Sequence, residues 1–240
     1  MRAGCAKPVK LGAGSKGRIA AMSIEVFISY SHKDRRLAHR VKEGLEELGF
    51  NVFLAHDDIR ISAAWRREIL KRLRSCEIFV PILTEAFTKS KWTDQEVGYA
   101  LARGARIAPL KVDVDPYGFI GEYQAQRLKS GSVNEVCWAV LDGLKNDSRL
   151  GERIKQAGIK VFVQSGTFDD AHENLTKLIK FRPFSRWQLA EIIQGGARNQ
   201  NIYGCHKAQS LMRDILEDAE GKVRHSLILK YKKAVKSWPY

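Results

Sequence analysis

A tryptophan and a glutamate stand four residues apart in the stretch Trp92-Thr93-Asp94-Gln95-Glu96. In a helix, this spacing places both side chains on one narrow stripe together with Tyr99 and Arg103, because successive residues are about 100° apart. The opposite side of the same helix is apolar and would face a core. An acid held beside aromatic rings suggests a functional site.

The position of this stretch in the chain supports that interpretation. An apolar run over residues 77–83 precedes it, followed by a polar loop. The Glu96 carboxylate is therefore expected beyond the carboxyl end of a buried strand. Ligand clefts of open parallel sheets lie at that end.

The elements that would position the site alternate along the chain from Glu25 onward. Short β-branched apolar runs alternate with longer helical periods, which predicts a doubly wound α/β fold with a parallel sheet. The predicted strands cover residues 25–30, 51–54, 77–83, 106–112 and, more weakly, 124–128. The predicted helices cover about 37–48, 65–74, 93–102 and 133–144. Beyond residue 147 the pattern becomes helical near residues 169–179, 185–197 and 208–219.

This pattern predicts four parts of the chain: a flexible basic leader at 1–21, an α/β domain at 22–147, a helical extension at 148–221 and a basic tail at 222–240. Residues 12–17 match the G-x-G-x-x-G dinucleotide pattern, but a strand and a helix do not flank them, so a flexible leader is the preferred interpretation. Met22 is a candidate for the true start.

The net charge of +14 is concentrated at the two ends. Residues 1–21 carry five basic groups and residues 221–240 carry six, neither with an acid, which leaves about +3 on the body. This net charge on the body is smaller than expected of a protein that binds nucleic acid. Both ends are interpreted first as solvated tails, although helical spacing in the last segment also allows docking on the chain itself or on an anionic surface.

The cysteines and the apolar runs indicate a cytoplasmic protein. The four cysteines lie far apart, without zinc-ligand spacing, which is typical of reduced intracellular thiols. The longest apolar runs are far shorter than the roughly 20 residues that cross a bilayer, so membrane partners are not expected.

Four stretches together resemble a TIR (Toll/interleukin receptor) domain of the prokaryotic kind. They are VFISYSHKD at 26–34, GFNVFL at 49–54, Trp65 followed by Ile69, and SKWTDQE at 90–96. The resemblance covers about residues 23–147 and implies a five-stranded parallel sheet with flavodoxin-like winding. The loop at 55–64 departs from the family, because Ser62 stands where related domains often have glycine and the box of animal adaptor TIR domains is missing.

The resemblance also implies an activity. Many TIR domains cleave the bond between nicotinamide and ribose in NAD, using a glutamate four residues after a tryptophan, which here are Glu96 and Trp92. A carboxylate near the ribose stabilises the oxocarbenium character that develops as the bond breaks, and an indole face favours the cationic nicotinamide ring. NAD would be the substrate, and no metal or redox cofactor is required. Capture by water would give ADP-ribose, and capture within the molecule would give a cyclic isomer.

Glu96 is thus the predicted catalytic residue, and Trp92, Trp65, Ser31 and Tyr99 are the predicted substrate-binding residues. Three of them have a structural alternative. Thr93 and Glu96 fit a capping box, Trp65 could simply close the core, and Ser31 follows the first strand where it could cap a helix.

The resemblance implies TIR–TIR self-association and a role in defence or signalling. A non-enzymatic interaction or scaffold module is the alternative function. A binder of nucleic acid or membranes that uses the basic ends is a weaker third.

Overall fold

A computed structural model describes residues 23–55, 63–129 and 131–238 of the chain. The predicted basic leader, the glycine-rich motif at 12–17 and Ser62 lie outside the described residues.

The core of the fold is a parallel sheet. Its strands are β1 (Glu25–Ser29), β2 (Asn51–Leu54), β3 (Ile78–Leu83), β4 (Arg106–Ile107), β5 (Leu110–Lys111) and β6 (Gln126–Arg127). The strand order is β2-β1-β3-β5-β6, with β4 also paired to β3, and every pairing is parallel. The predicted doubly wound α/β fold is therefore confirmed.

The fourth predicted strand, 106–112, is interrupted at Pro109. Its two halves, β4 and β5, both pair with β3, so they occupy one strand position in the sheet. Proline has no amide hydrogen to donate to a ladder, which explains the break. The chain still runs along β3 there, since the Ala108 amide donates to the Phe79 carbonyl at 2.9 Å.

Helices cover both faces of the sheet. They are α1 (Arg35–Glu47), α2 (Ala63–Ser75), the single turn α3 (Glu85–Thr88), α4 (Lys91–Ala102) and α5 (Val133–Leu144). Helices α1 and α5 pack over one face, and α2 and α4 pack over the other. Gly44 permits the close approach of α1 to α5, because a Cβ at that position would lie 2.9 Å from Cγ1 of Val133.

The extension after residue 147 is entirely helical in its regular structure. It contains α6 (Gly151–Val163), α7 (Phe168–Leu178), α8 (Arg186–Gly196), the short α9 (Gln200–Tyr203), α10 (His206–Ala219) and α11 (His225–Lys236). Helix α6 was not predicted from sequence. Its side chains join the same apolar core that the α1 and α5 face of the sheet contributes to, so the core runs without a break from β1 to α11. The division at residue 147 stays a prediction.

The interpretation of residues 222–240 as a solvated tail was wrong over α11. Ile228 and Tyr231 are only 2% and 3% exposed, because they pack into the common core. The alternative, docking of this segment on its own chain, is what the structure has. Among the described residues, no helix is both long enough and apolar enough to cross a membrane.

Two sets of polar contacts hold the extension in place. Trp138 of α5 donates through Nε1 to Oδ1 of Asn174 at 2.7 Å, and Asn174 donates to Oγ of Ser165 at 3.0 Å, all within the buried region. At the amino end of β3, Arg153 of α6 donates to both carboxylate oxygens of Glu77, at 2.5 and 2.9 Å. The extension is thereby attached to the domain by hydrogen bonds as well as by apolar packing.

Candidate active site

Helix α4, which carries the candidate site, begins at Lys91, two residues before the predicted start. Its N-cap is Ser90, and Thr93 lies in the first turn with its hydroxyl 2.8 Å from the Phe87 carbonyl and 2.7 Å from the Ser90 carbonyl. Thr93 therefore does not cap this helix, and the capping-box interpretation of Glu96 was wrong.

The Glu96 carboxyl group lies against the end of β1. Oγ of Ser29, the last residue of β1, donates to Oε2 of Glu96 at 2.5 Å. Glu96 is only 3% exposed, and Ser29 is fully buried. The other oxygen, Oε1, is buried without a hydrogen-bond partner among the described residues. Such an orphaned acceptor is uncommon in folded proteins and needs an explanation.

Burial raises the pKa of Glu96 to about 8, because a carboxylate loses its hydration when it is removed from water. The hydrogen bond from Ser29 opposes that effect only in part. In this conformation, Glu96 is therefore mostly protonated at neutral pH. Perturbed acids of this kind are concentrated at functional sites, although structural networks also contain them.

Two indoles lie together at the amino ends of α2 and α4. The ring centroids of Trp65 and Trp92 are 6.2 Å apart and the rings meet edge to face at 80°. The guanidinium of Arg66 lies 6.0 Å from the centroid of the Trp92 ring. Both indoles are half-buried, and Trp65 also packs against the core under α2, so its core role and a role in the site are compatible. Trp92 already has a cation beside it, which fits the proposed preference of this face for positive charge.

The remaining two predicted substrate-binding residues, Ser31 and Tyr99, have other partners than Glu96 and the two indoles. Ser31 is half-buried and starts a 3-10 turn, in which its carbonyl accepts from the Asp34 amide at 2.7 Å, and its side chain makes no capping bond. The hydroxyl that contacts Glu96 belongs to Ser29 instead. The Tyr99 hydroxyl accepts from Nε of Arg74 at 3.2 Å, in the last turn of α2, whereas Trp65 lies in its first turn. The structure thus does not bring Tyr99 to the indole pair, and the roles of Ser31 and Tyr99 in binding stay predictions.

Sequence reasoning missed two contacts around the start of α4. One is Ser29, whose only signal was a hydroxyl at the end of an apolar strand. The other is Tyr117, whose hydroxyl donates to Oδ1 of Asp94 at 2.8 Å and so joins the loop after β5 to α4. Burial and the adjacent Asp94 carboxylate raise the pKa of Tyr117 well above its usual range.

The carboxyl ends of β1 and β3 are also joined beside this region. The Thr84 hydroxyl, directly after β3, donates to the Asp34 carboxylate at 2.6 Å and accepts from the Phe87 amide at 3.1 Å. These bonds fix the loops that flank Ser29. Among the described residues, no group of three or more His, Cys, Asp or Glu side chains could hold a metal ion.

Comparison with known proteins identifies the segment that carries this geometry. A model of the TIR domain family matches residues 26–136, which include Ser29, Trp65, Trp92 and Glu96. One similar solved structure is the TIR domain of the Toll-related receptor TRR-2 from Hydra magnipapillata, with a TM-score of 0.42 and 16% identity over 53% of this chain and 99% of that chain. No curated protein sequence matches the chain. The predicted resemblance to a TIR domain is confirmed: residues 26–136 of this protein are a TIR domain. That the domain is of the prokaryotic kind stays a prediction.

Proposed function

We propose that this TIR domain is an NAD glycohydrolase that cleaves the bond between nicotinamide and ribose, with Glu96 as the catalytic residue. The observation that carries the proposal is the state of the Glu96 carboxyl group. It is buried at the carboxyl end of β1, has Ser29 as its partner, and keeps one oxygen without a hydrogen bond.

That arrangement works against stability. An unsatisfied buried polar atom costs about 1–3 kcal/mol, and a leucine or glutamine at position 96 would avoid the burial of an ionisable group. A residue that destabilises the fold and is still placed with one oxygen available is the pattern expected of a functional group. The start of α4 does not need Glu96 as a cap, because its N-cap is Ser90.

The chemistry requires an ionised carboxylate beside the ribose. As the glycosidic bond breaks, its electron pair goes to the nicotinamide nitrogen, which leaves neutral, and positive charge develops on the sugar. The carboxylate stabilises that charge, and the oxygen of water or of a group within the same molecule then bonds to the same carbon and releases a proton. Trp92 and Trp65 provide aromatic surface for the cationic ring before it leaves.

In this proposal, the conformation with Glu96 buried is a closed state of the site. Glu96 is 3% exposed, so NAD binding requires the covering groups to move. The positive ring of NAD would then favour the charged form of Glu96 and lower its pKa from about 8. Self-association through TIR–TIR contacts is the proposed trigger for this opening, and the cytoplasm, with a role in defence or signalling, is the proposed setting.

The test is an assay of nicotinamide release from NAD at several protein concentrations, with the products separated by chromatography. The wild-type protein is expected to turn over NAD, and Glu96→Gln is expected to lose turnover while keeping its fold. Glu85→Gln is the matched control, because the Glu85 side chain is 76% exposed on the neighbouring turn α3. If the folded Glu96→Gln variant releases nicotinamide at the wild-type rate, Glu96 is not the catalytic residue.

The second candidate is a non-enzymatic TIR–TIR scaffold, which the near-complete burial of Glu96 favours. A scaffold would release no nicotinamide at any protein concentration, including with crowding agents. It would still self-associate in sedimentation experiments, and Glu96→Gln would not change that association.

A further inference from the structure

A groove in the extension combines an apolar floor with a positive rim. It runs between α8 and α11, which pack against each other, and encloses about 550 Å³. Val223, Leu227 and the Trp187 ring form its apolar part, and Arg186, Arg224 and Lys230 line its edges.

The rim carries positive charge that no close ion pair offsets in the part of the chain that the structure describes. Arg186, Arg224 and Lys230 are exposed, and none has a carboxylate within 4.0 Å among the described residues. The one acid of α8, Glu191, accepts a hydrogen bond from Gln156 of α6 and forms no ion pair with the rim within the described ranges. Residues 221–240 contain no acid at all.

The floor offers apolar surface to a partner. Trp187 is 81% exposed, although an indole of this size usually contributes to a core or an interface. Val223 and Leu227 are partly buried against the main core, which holds the floor rigid. Exposed tryptophans flanked by arginine are typical of binding hot spots.

We propose that this groove binds an acidic amphipathic helix of a partner protein. The lining positions of α8, from Arg186 to Gln194, span roughly 12 Å, which matches about two turns of a helix laid along the groove. Apolar side chains at i, i+4 and i+7 of such a helix would reach the floor, and acidic residues beside them would meet the rim.

Charge and shape decide against other occupants. The same groove of a second copy has the same basic rim, so pairing of two such grooves is unfavourable. The lining contains a single aromatic ring and an aliphatic floor, whereas single-stranded nucleic acid is bound by several stacking rings. A bilayer surface is flat and would not fill a groove.

The experiment measures binding of fluorescent synthetic helices to the full chain by anisotropy. One peptide carries leucine at i, i+4 and i+7 flanked by glutamates, and its matched control carries lysines in place of the glutamates. The acidic peptide is expected to bind and the basic one not, and added salt should weaken the binding. Trp187→Ala, and the double variant Arg186→Glu with Lys230→Glu, should each weaken binding at least about tenfold.

Matched control variants lie outside the groove. One is Lys232→Glu, at an exposed position of α11 that does not line the groove. The other is Phe119→Ala, because Phe119 is 83% exposed on another surface. Both variants should bind the acidic peptide like the wild type. Circular dichroism checks that each variant is folded. The proposal is overturned if the acidic peptide does not bind at millimolar concentration, if Trp187→Ala binds it equally well, or if anionic vesicles or oligo-dT bind more tightly through the same residues. A dimer that Trp187→Ala dissociates would also overturn it.

Discussion

Glu77 and Glu96 lie at opposite ends of the same part of the sheet and have opposite surroundings. Glu77 directly precedes β3, where its carboxylate accepts from Arg153 twice and from the Glu25 amide at 3.2 Å. Glu96 meets the carboxyl end of β1, where the Ser29 hydroxyl is its partner. Hydrogen bonds and the adjacent guanidinium lower the pKa of Glu77 despite its partial burial, whereas burial raises the pKa of Glu96 to about 8.

The comparison separates two uses of the same side chain. At the amino end of the strands, the carboxylate is fully partnered and attaches the extension to the sheet. At the carboxyl end, where ligands bind in parallel α/β folds, the carboxyl group is left under-partnered. Glu77 is thus expected to matter for stability and Glu96 for activity.

The largest expected difference is in turnover. If Glu96 stabilises the ribosyl cation, Glu96→Gln should lower the rate of nicotinamide release by a factor of about 100 or more, because removal of one group that stabilises transition-state charge costs that much. Glu77→Gln should stay within about threefold of the wild type at a temperature where it is folded. If the two variants lose the same fraction of the rate of nicotinamide release, the two glutamates do not differ in their role in activity.

The next effect is on stability as a function of pH. The Glu96 pKa is raised in the folded state from the ordinary value of 4.5 to about 8, so the folded protein holds this proton where the unfolded chain releases it. Wild-type stability should therefore fall from about pH 4.5 to 8 relative to Glu96→Gln, which has no proton to lose. At pH 8, Glu96→Gln should be more stable by roughly 2–4 kcal/mol, and the two should be similar at pH 4.

Urea unfolding of both proteins at several pH values measures this difference, with Glu85→Gln as the exposed control. A constant difference across the whole range would show that Glu96 does not titrate as a buried acid.

A smaller change of stability, in this case a loss, is expected for Glu77→Gln, with the opposite dependence on pH. The folded pKa of Glu77 is lowered, so its stabilising effect is present above its ordinary pKa and disappears as the pH falls through the folded value. At neutral pH the variant should lose about 1–2 kcal/mol, a figure kept low because a third of the side chain is exposed to solvent. Thermal unfolding at pH 7 and pH 3 checks both statements, and a loss as large at pH 3 as at pH 7 would contradict them.

The smallest effect concerns Ser29. Its hydrogen bond lowers the Glu96 pKa in part, so Ser29→Ala should raise that pKa. If turnover requires ionised Glu96, the rising limb of kcat/KM against pH should move to higher pH in Ser29→Ala by about one unit or less. Ser31→Ala is the matched control and should leave the limb in place. If the limb moves in Ser31→Ala and not in Ser29→Ala, the site residue is Ser31, as predicted from the sequence.

The sequence predicted the elements whose patterns are local. Alternating apolar runs placed β1, β2 and β3, and the spacing of Trp92 and Glu96 located the candidate site on α4. Periodicity was uninformative for α6, because Gly151 and Gly158 weaken its helical signal and the β-branched residues near its end resemble a strand.

Contacts between distant residues could not be predicted. The bond from Ser29 to Glu96 joins residues 67 positions apart and depends on how α4 packs over β1. The same reason explains the basic segment after residue 221. Its charge predicted a solvated tail, but Ile228 and Tyr231 are buried in the core. The break at Pro109 was also not predicted, because the apolar run at 106–112 does not show where the missing amide hydrogen interrupts the strand.

The apolar core that runs from β1 to α11 has a consequence for how this protein can be inherited and recombined. Trp138 of α5 is 2% exposed, its ring centroid lies 6.0 Å from that of Phe181 in the extension, and its indole nitrogen donates to Asn174 of α7. A gene fusion that transplanted residues 26–136 alone would omit two thirds of α5 and every helix after it, which removes most of the helix that packs against α1 on one face of the sheet. The shared core therefore leads us to expect that the TIR domain and its extension are inherited together.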